Sequence, residues 1–311
     1  MRHRVDVASL GRWVDPAIAY AALCGDSDAA FWLDSGPHAT TGHSYLGRAA
    51  EVVTDFPGGV LPFLRSIGRD ADTSAAPPGF RLGWVGWLGY ELRAETMGVT
   101  VERESRYPVA AWLRVDRALA FDHAAGEVLL LSLGDAGAWR EEAEAALAAP
   151  AATPDPGERG SHLATWAYPD ERYLDMVRAC QAAIVEGDAY QLCLTTETRV
   201  DGVHDPLSTY LALRASSPTH HGALLRAGGL SLLSASPEQF LKVSPDGMVE
   251  SRPIKGTRAR GGTEAGDWRL REELLASEKE RAENVMIVDL MRNDIARVSK
   301  VGSVGVTSLL A

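Results

Sequence analysis

Cysteine is scarce in this chain, with three in 311 residues, at Cys24, Cys180 and Cys193. They are odd in number and far apart, which makes neither a disulfide framework nor a zinc pattern, so the thiols are expected to be reduced and mostly buried. Long apolar runs are missing too. Residues Met1 to Trp13 carry positive charge without the apolar stretch of a secretory signal, and no later run approaches a membrane span, so a cytoplasmic protein is expected. Nor is there a basic excess. A net charge of -11 and a pI near 5.2 repel nucleic acid and anionic membranes, which leaves small molecules and proteins as partners. The glycines of Arg81-Leu-Gly-Trp-Val-Gly-Trp-Leu-Gly-Tyr90 are not followed by a Lys-Ser/Thr pair, so they are not a phosphate loop. No internal repeat at solenoid spacing is visible.

Apolar residues make up 46% of the chain, enough for one large core or two ordinary ones. Ala136 to Ala149 reads as a polar-and-alanine helix. Pro150 to Ser161, with three prolines and two glycines, reads as a linker, dividing the chain into an amino-terminal region, 1–160, and a second region, 161–311. In the first, Arg81 to Tyr90 mixes β-formers with small residues, as where strands pack closely. In the second, Tyr173, Leu174, Val177, Ile184 and Val185 predict a helix over Asp170 to Glu186 that Gly187 stops. From Tyr190, Leu192, Leu194 and Val200 fall on one face and Gln191, Thr195, Glu197 and Arg199 on the other, predicting a half-buried strand. Asp205-Pro206 starts a helix, as a side-chain cap followed by a first-turn proline. Apolar runs around Gly228-Gly229 and around Pro245-Asp246-Gly247 predict adjacent hairpins in one antiparallel meander. Ser277 and Glu280 fit a capping box ahead of a helix from Arg281 to Val298.

The second hairpin carries the first chemical hint. With Asp246 and Gly247 as its two central turn residues, Glu238 faces Lys255 directly. Phe240, Ser251 and Pro253 share that face, while Leu241, Val243, Met248 and Ile254 point into a core. By spacing alone, an ordinary cross-strand ion pair is the plainer reading, and a one-residue bulge would undo the register. His220-His221 has no further ligand at usable spacing and reads as a polar loop.

Four words in order change the weighting. Ser236-Pro237-Glu238-Gln239-Phe240, Ser251-Arg252-Pro253-Ile254-Lys255-Gly256-Thr257-Arg258, Ser277-Glu278-Lys279-Glu280-Arg281-Ala282-Glu283-Asn284 and Val288-Asp289-Leu290-Met291-Arg292-Asn293-Asp294 together resemble the chorismate-binding family. The resemblance implies an α+β fold, antiparallel sheets forming a two-layer core flanked by helices. Lys255 stands where the anthranilate synthases of the family have alanine, which resembles the branch that makes 4-amino-4-deoxychorismate, that of aminodeoxychorismate synthase component I. There the lysine attacks ring carbon 2 of chorismate, and ammonia from a glutamine amidotransferase partner then enters at carbon 4. Such an attack needs a neutral amine, favoured by desolvation against Phe240 and by nearby magnesium. The resemblance casts Glu238 as the acid that assists departure of the 4-hydroxyl, and Gly256 and Thr257 as substrate-binding residues. Glu283, with Glu280 on the same helical face, is the implied Mg2+ site, since two carboxylates there suit a hard cation. Anthranilate synthase component I is the alternative activity.

A second site is weaker. Leu33-Asp34-Ser35 and Ser217-Pro218 resemble the two walls of a tryptophan pocket in some members, which makes Ser35, Pro218 and Thr219 its candidate residues. Thr219 departs from the aromatic residue usual there. Family members continue beyond Val306 into a Gly-Ser/Thr-x-Thr-Gly-Ala-Pro-Lys stretch that is absent here, and Phe56-Pro57-Gly58-Gly59 is only an echo of it. An incomplete chain, a chorismate-binding or inert fragment, is therefore the non-enzyme alternative. None of the cysteines sits in a Gly-x-Cys-x-Gly turn, so the amidotransferase nucleophile is expected on a partner.

Overall fold

A strand with apolar residues at successive positions has two faces to cover, and Ala29–Asp34 and Arg117–Asp122 are of this kind. Trp32, Leu119 and Phe121 enter one buried cluster, and Phe31, Ala118 and Ala120 enter another. Both strands lie inside a seven-stranded antiparallel sheet with the order Leu230–Ser236, His221–Ala227, Ala29–Asp34, His43–Arg48, Arg117–Asp122, Glu127–Ser132 and Asp6–Ser9. Tyr20 and Leu23 from the helix Pro16–Cys24, Trp139 from Ala136–Ala148 and Tyr210 from Pro206–Ser216 pack with the first cluster. The second cluster takes Val85, Leu113 and Val115 from a three-stranded antiparallel sheet of Glu51–Val53, Ala110–Val115 and Gly83–Leu88. This is the expected α+β architecture, with two sheet layers and flanking helices.

The computed structural model describes residues 3–67, 71–72, 79–101, 105–148, 154, 163–202 and 204–309. The linker expected from Pro150 to Ser161 lies, except for Pro154, outside the described residues. The chain forms two compact units. One comprises the described residues up to Arg159 with His204–Pro237, and the other those of Gly160–Val203 with Glu238–Ala311. The path thus changes unit more than once, where the sequence suggested a single boundary near 160.

Local chemistry sets several element ends. The Asp15 carboxylate accepts from the Ala17 amide at 2.8 Å ahead of Pro16–Cys24, and Asp205 accepts from the Ser208 amide at 2.7 Å ahead of Pro206–Ser216; proline opens each helix. Asp170–Glu186 ends at Gly187, whose φ of 86° is left-handed. Gly86 has a different reason to be glycine, since a Cβ there would lie 2.0 Å from the Ala111 carbonyl oxygen of the paired strand. This is the close strand packing expected of the Arg81–Tyr90 segment.

Other expectations are corrected. Residues 191–197 form no strand; only Thr198–Val200 does, pairing with Ala164–Trp166, and Leu192 and Val200 are exposed. The two hairpins are not one meander. His221–Ala227 and Leu230–Ser236 join the large sheet, whereas Gln239–Val243 and Val249–Arg252 form a separate two-stranded sheet. Of the cysteines only Cys24 is buried, while Cys180 is half-buried and Cys193 exposed. The helix expected from Arg281 begins at Glu278, directly after Ser277, and runs to Ala296. A helix at Glu264–Ala276 precedes it. Among the described residues no helix is long and apolar enough to cross a membrane.

Candidate active site

The hairpin carrying Glu238 and Lys255 turns through three residues rather than two. The Ser244 amide donates to the Met248 carbonyl at 2.9 Å, and Gly247 takes φ 89°, the left-handed residue of a three-residue loop. Val243 therefore faces Val249 and Lys242 faces Glu250, and a further irregularity between Gln239 and Lys242 sets Gln239 opposite Arg252. Continued one step, this register places Glu238 away from Lys255, and the expected direct pairing does not form. Instead both residues engage the peptide units of Ile254. The Ile254 amide donates to Glu238 Oε1 at 3.3 Å, and Lys255 Nζ donates to the Ile254 carbonyl at 3.1 Å. Lys255 is half-buried, and Phe240, expected to desolvate it, is 71% exposed. Leu241, Val243, Met248 and Ile254, expected in a core, are exposed as well.

The loop after Lys255 is held against the helix Glu278–Ala296. Gly256 has φ 74°, and a Cβ there would sit 2.8 Å from Glu280 Oε2 and 3.0 Å from its Cβ. Any other residue at 256 would meet both a strained backbone and the Glu280 side chain. Glu280 does not complete a capping box. Ser277 Oγ accepts from the Glu280 amide at 3.4 Å, but the Ser277 amide donates to the Leu274 carbonyl, leaving the Glu280 carboxylate to face the loop. There Arg258 Nη1 lies 3.4 Å from Glu280 Oε1, and Arg258 Nε donates to Glu273 Oε1 at 2.9 Å. Glu273, and after it Glu280, holds the guanidinium more firmly protonated than usual. One helical turn on, Glu283 Oε1 accepts from Gln191 Nε2 at 3.0 Å. Thr257 is exposed, and its carbonyl accepts from Arg258. Asn284 is buried and donates to the Leu309 carbonyl.

The structure thus brings Lys255, Gly256, Glu280 and Arg258 onto one loop-and-helix junction. Sequence reasoning missed Gln191 and Glu273. Gln191 was legible only as the polar face of a strand that does not form, and Glu273 lies outside the four words. Among the described residues no group of three or more His, Cys, Asp or Glu could hold a metal. Two carboxylates one turn apart, one of them cradled by a glycine loop, still suit a cation that keeps most of its waters.

In the other unit, Asp34 anchors a buried polar cluster at the expected tryptophan pocket. Arg214 donates to both its carboxylate oxygens, Tyr210 OH donates to Oδ2 at 3.2 Å and the Gly36 amide to Oδ1 at 3.1 Å. Burial, and next the Asp34 charge, push the Tyr210 phenol well above its ordinary pKa. Ser35 is engaged locally, its hydroxyl donating to the His43 carbonyl at 2.8 Å. Thr219 lines the remaining cavity with Asp34, Tyr210 and Arg214, whereas Pro218 does not. That cavity is about 10 Å³ in this conformation, the room of about one water. The sequence pointed to the segment but not to Arg214 or Tyr210, which reach Asp34 from a distant helix.

Residues 28–311 match the family described as chorismate binding enzyme. The chain belongs to that family. As a chorismate-binding enzyme it is 36% identical to an aminodeoxychorismate synthase of Streptomyces pristinaespiralis, over 99% of this chain and 48% of that protein. It is 37% identical to the aminodeoxychorismate synthase of Streptomyces griseus, over 97% of this chain and 47% of that one. Anthranilate synthase component 1 of Streptomyces coelicolor is 34% identical, with 96% of this chain and 63% of the relative covered. The chain therefore spans about half the length of the two aminodeoxychorismate synthases. Its fold is similar to that of anthranilate synthase component I from Streptococcus pneumoniae TIGR4, with a TM-score of 0.67 at 24% identity, over 97% of this chain and 71% of that one.

Proposed function

We propose that this chorismate-binding enzyme acts as component I of an aminodeoxychorismate synthase, converting chorismate and ammonia to 4-amino-4-deoxychorismate. The observation that carries this reading is Lys255 itself, a primary amine at the start of a glycine loop laid on Glu280; the resemblance of the Pro253-Ile254-Lys255-Gly256-Thr257 word implies alanine there in the anthranilate synthases of the family. In the first step Lys255 Nζ forms a bond to ring carbon 2 while the bond from carbon 4 to its hydroxyl breaks, with the ring double bonds shifting between them. Glu238, which meets Lys255 at Ile254, donates the proton that lets the hydroxyl leave as water. Ammonia then bonds to carbon 4, the double bonds shift back, and the Lys255 amine is expelled from carbon 2. Gly256 and Thr257 would bind the substrate through close backbone approach and a hydroxyl. Glu283 and Glu280 would hold Mg2+, which supplies charge neutralisation at the ring carboxylate. A glutamine amidotransferase partner would supply the ammonia.

The second reading is anthranilate synthase component I, favoured by the 34% identity to the Streptomyces coelicolor protein. In that case ammonia attacks carbon 2 directly and Lys255 stays unmodified. Intact-mass and peptide spectrometry after incubation with chorismate and Mg2+ separates the two. The first reading expects a chorismate-derived adduct on Lys255 that is absent from Lys255→Ala and is discharged by ammonia. An unmodified protein that releases anthranilate, or one that binds chorismate without turnover, overturns it.

A further inference from the structure

Arg258 stands where a cation-binding site would least be expected to tolerate a positive charge. Its guanidinium is shared between two carboxylates from two helices, Glu273 of Glu264–Ala276 and Glu280 of Glu278–Ala296. The two contacts are unequal, 2.9 Å to Glu273 and 3.4 Å to Glu280. Gly256 closes over the same Glu280 side chain, whose exposure is only 16%. The carboxylate is thus hemmed in by loop backbone and already partnered by a fixed positive charge. A divalent cation at Glu280 would have to share it with Arg258, and like charges at contact distance repel.

We propose that Arg258 is a built-in competitor for the metal: it neutralises Glu280 when no cation is present and cedes that carboxylate on binding, retained by its shorter contact to Glu273. This rests on the assignment of Glu280 and Glu283 as the metal site. Arg258 and Glu273 are then positioning residues that set metal affinity without touching the metal. The competition keeps Glu280 from standing as an uncompensated, half-buried charge in the metal-free protein.

The test is Mn2+ binding to the 311-residue protein without chorismate, followed by electron paramagnetic resonance of the free ion at low ionic strength. Arg258→Ala should tighten Mn2+ binding by about fivefold, the order a unit charge exerts at contact distance in a water-like medium. Arg258→Lys, which keeps the charge, should stay within about twofold of the parent. Glu273→Gln should weaken binding while Arg258 is present, yet leave the affinity of Arg258→Ala unchanged when the two are combined. Affinity that ignores Arg258→Ala, or a Glu273→Gln effect that persists without Arg258, overturns the proposal. Glu283→Gln is the separate control. If it binds Mn2+ as the parent does, the metal assignment itself fails and the competition with it; if it alone abolishes binding while the Arg258 variants are silent, only the competition fails.

Discussion

The two units handle apolar side chains in opposite ways. In the unit built on the seven-stranded sheet, Trp32 is 0% exposed, stacked on Tyr20 and edge-on to Tyr210, and two clusters fill both faces of the sheet. In the unit carrying Lys255, Asn284 is the single buried residue among those described, and Phe240, Met248 and Trp268 are exposed. Stability is therefore concentrated in the first unit, and the residues assigned chemical roles sit in the second. Substitutions should divide accordingly, with structural losses in one and losses of binding or chemistry in the other.

Thiol reactivity should break this comparison open most widely. Burial pushes the Cys24 thiol up to about 12, which leaves about one thiolate in ten thousand at pH 8, behind a closed core. Under native conditions Cys193 should label with a disulfide reagent at least about a thousandfold faster than Cys24, with Cys180 between them. Cys24 should react only on unfolding, as followed by peptide mass spectrometry. Comparable rates would mean that the first unit opens as freely as the second.

Next in size is packing. Trp32→Ala should cost about 3–5 kcal/mol in denaturant unfolding, while Phe240→Ala should change it by no more than about 0.5 kcal/mol. Helix caps sharpen the same contrast at a smaller scale. Asp205→Ala, which removes a 2.7 Å bond, should cost about 1 kcal/mol. Ser277→Ala, which removes a 3.4 Å bond in the other unit, should cost about half as much and appear mainly as faster amide exchange over 278–281.

The smallest effect is a pH dependence confined to the first unit. Burial, ahead of the nearby His43 and Arg214 charges, depresses the His123 pKa below 6.5, although Asp34 and Asp122 pull the other way. The unfolded chain therefore takes up a proton at His123 before the folded one does. Stability should be fully present above about pH 6.5 and fall as pH drops from there through the folded value. His123→Gln should flatten that limb of the unfolding profile, leaving the acid loss at lower pH that comes from Asp122, whose carboxylate is held down by the Ala125 amide.

How much was legible follows from how local each signal was. The end of Asp170–Glu186 was readable because one glycine supplies the left-handed residue, and the start of Pro206–Ser216 because cap and proline are adjacent in sequence. The hairpin register was not readable. It depended on a two- or three-residue turn and on an irregularity between Gln239 and Lys242, and one residue either way changes every cross-strand partner. The strand expected from Tyr190 failed because alternation describes what a sheet would bury, and no described strand pairs with 191–197. Gln191 nonetheless reaches Glu283, 92 positions away, a partnership no spacing rule contains.

By itself the sequence determined the helix start at Asp205-Pro206, the helix stop at Gly187, and the four ordered words that mark a chorismate-binding enzyme. These are contacts within a few residues, or chemistry tied to residue type. Tertiary structure alone decided that Cys24 is the buried thiol, that Arg214 and Tyr210 converge on Asp34, and that Glu280 faces Gly256 and Arg258 rather than its own helix cap. Those outcomes depend on which distant segments meet, and a side chain's partners are settled only when the backbone between them has closed.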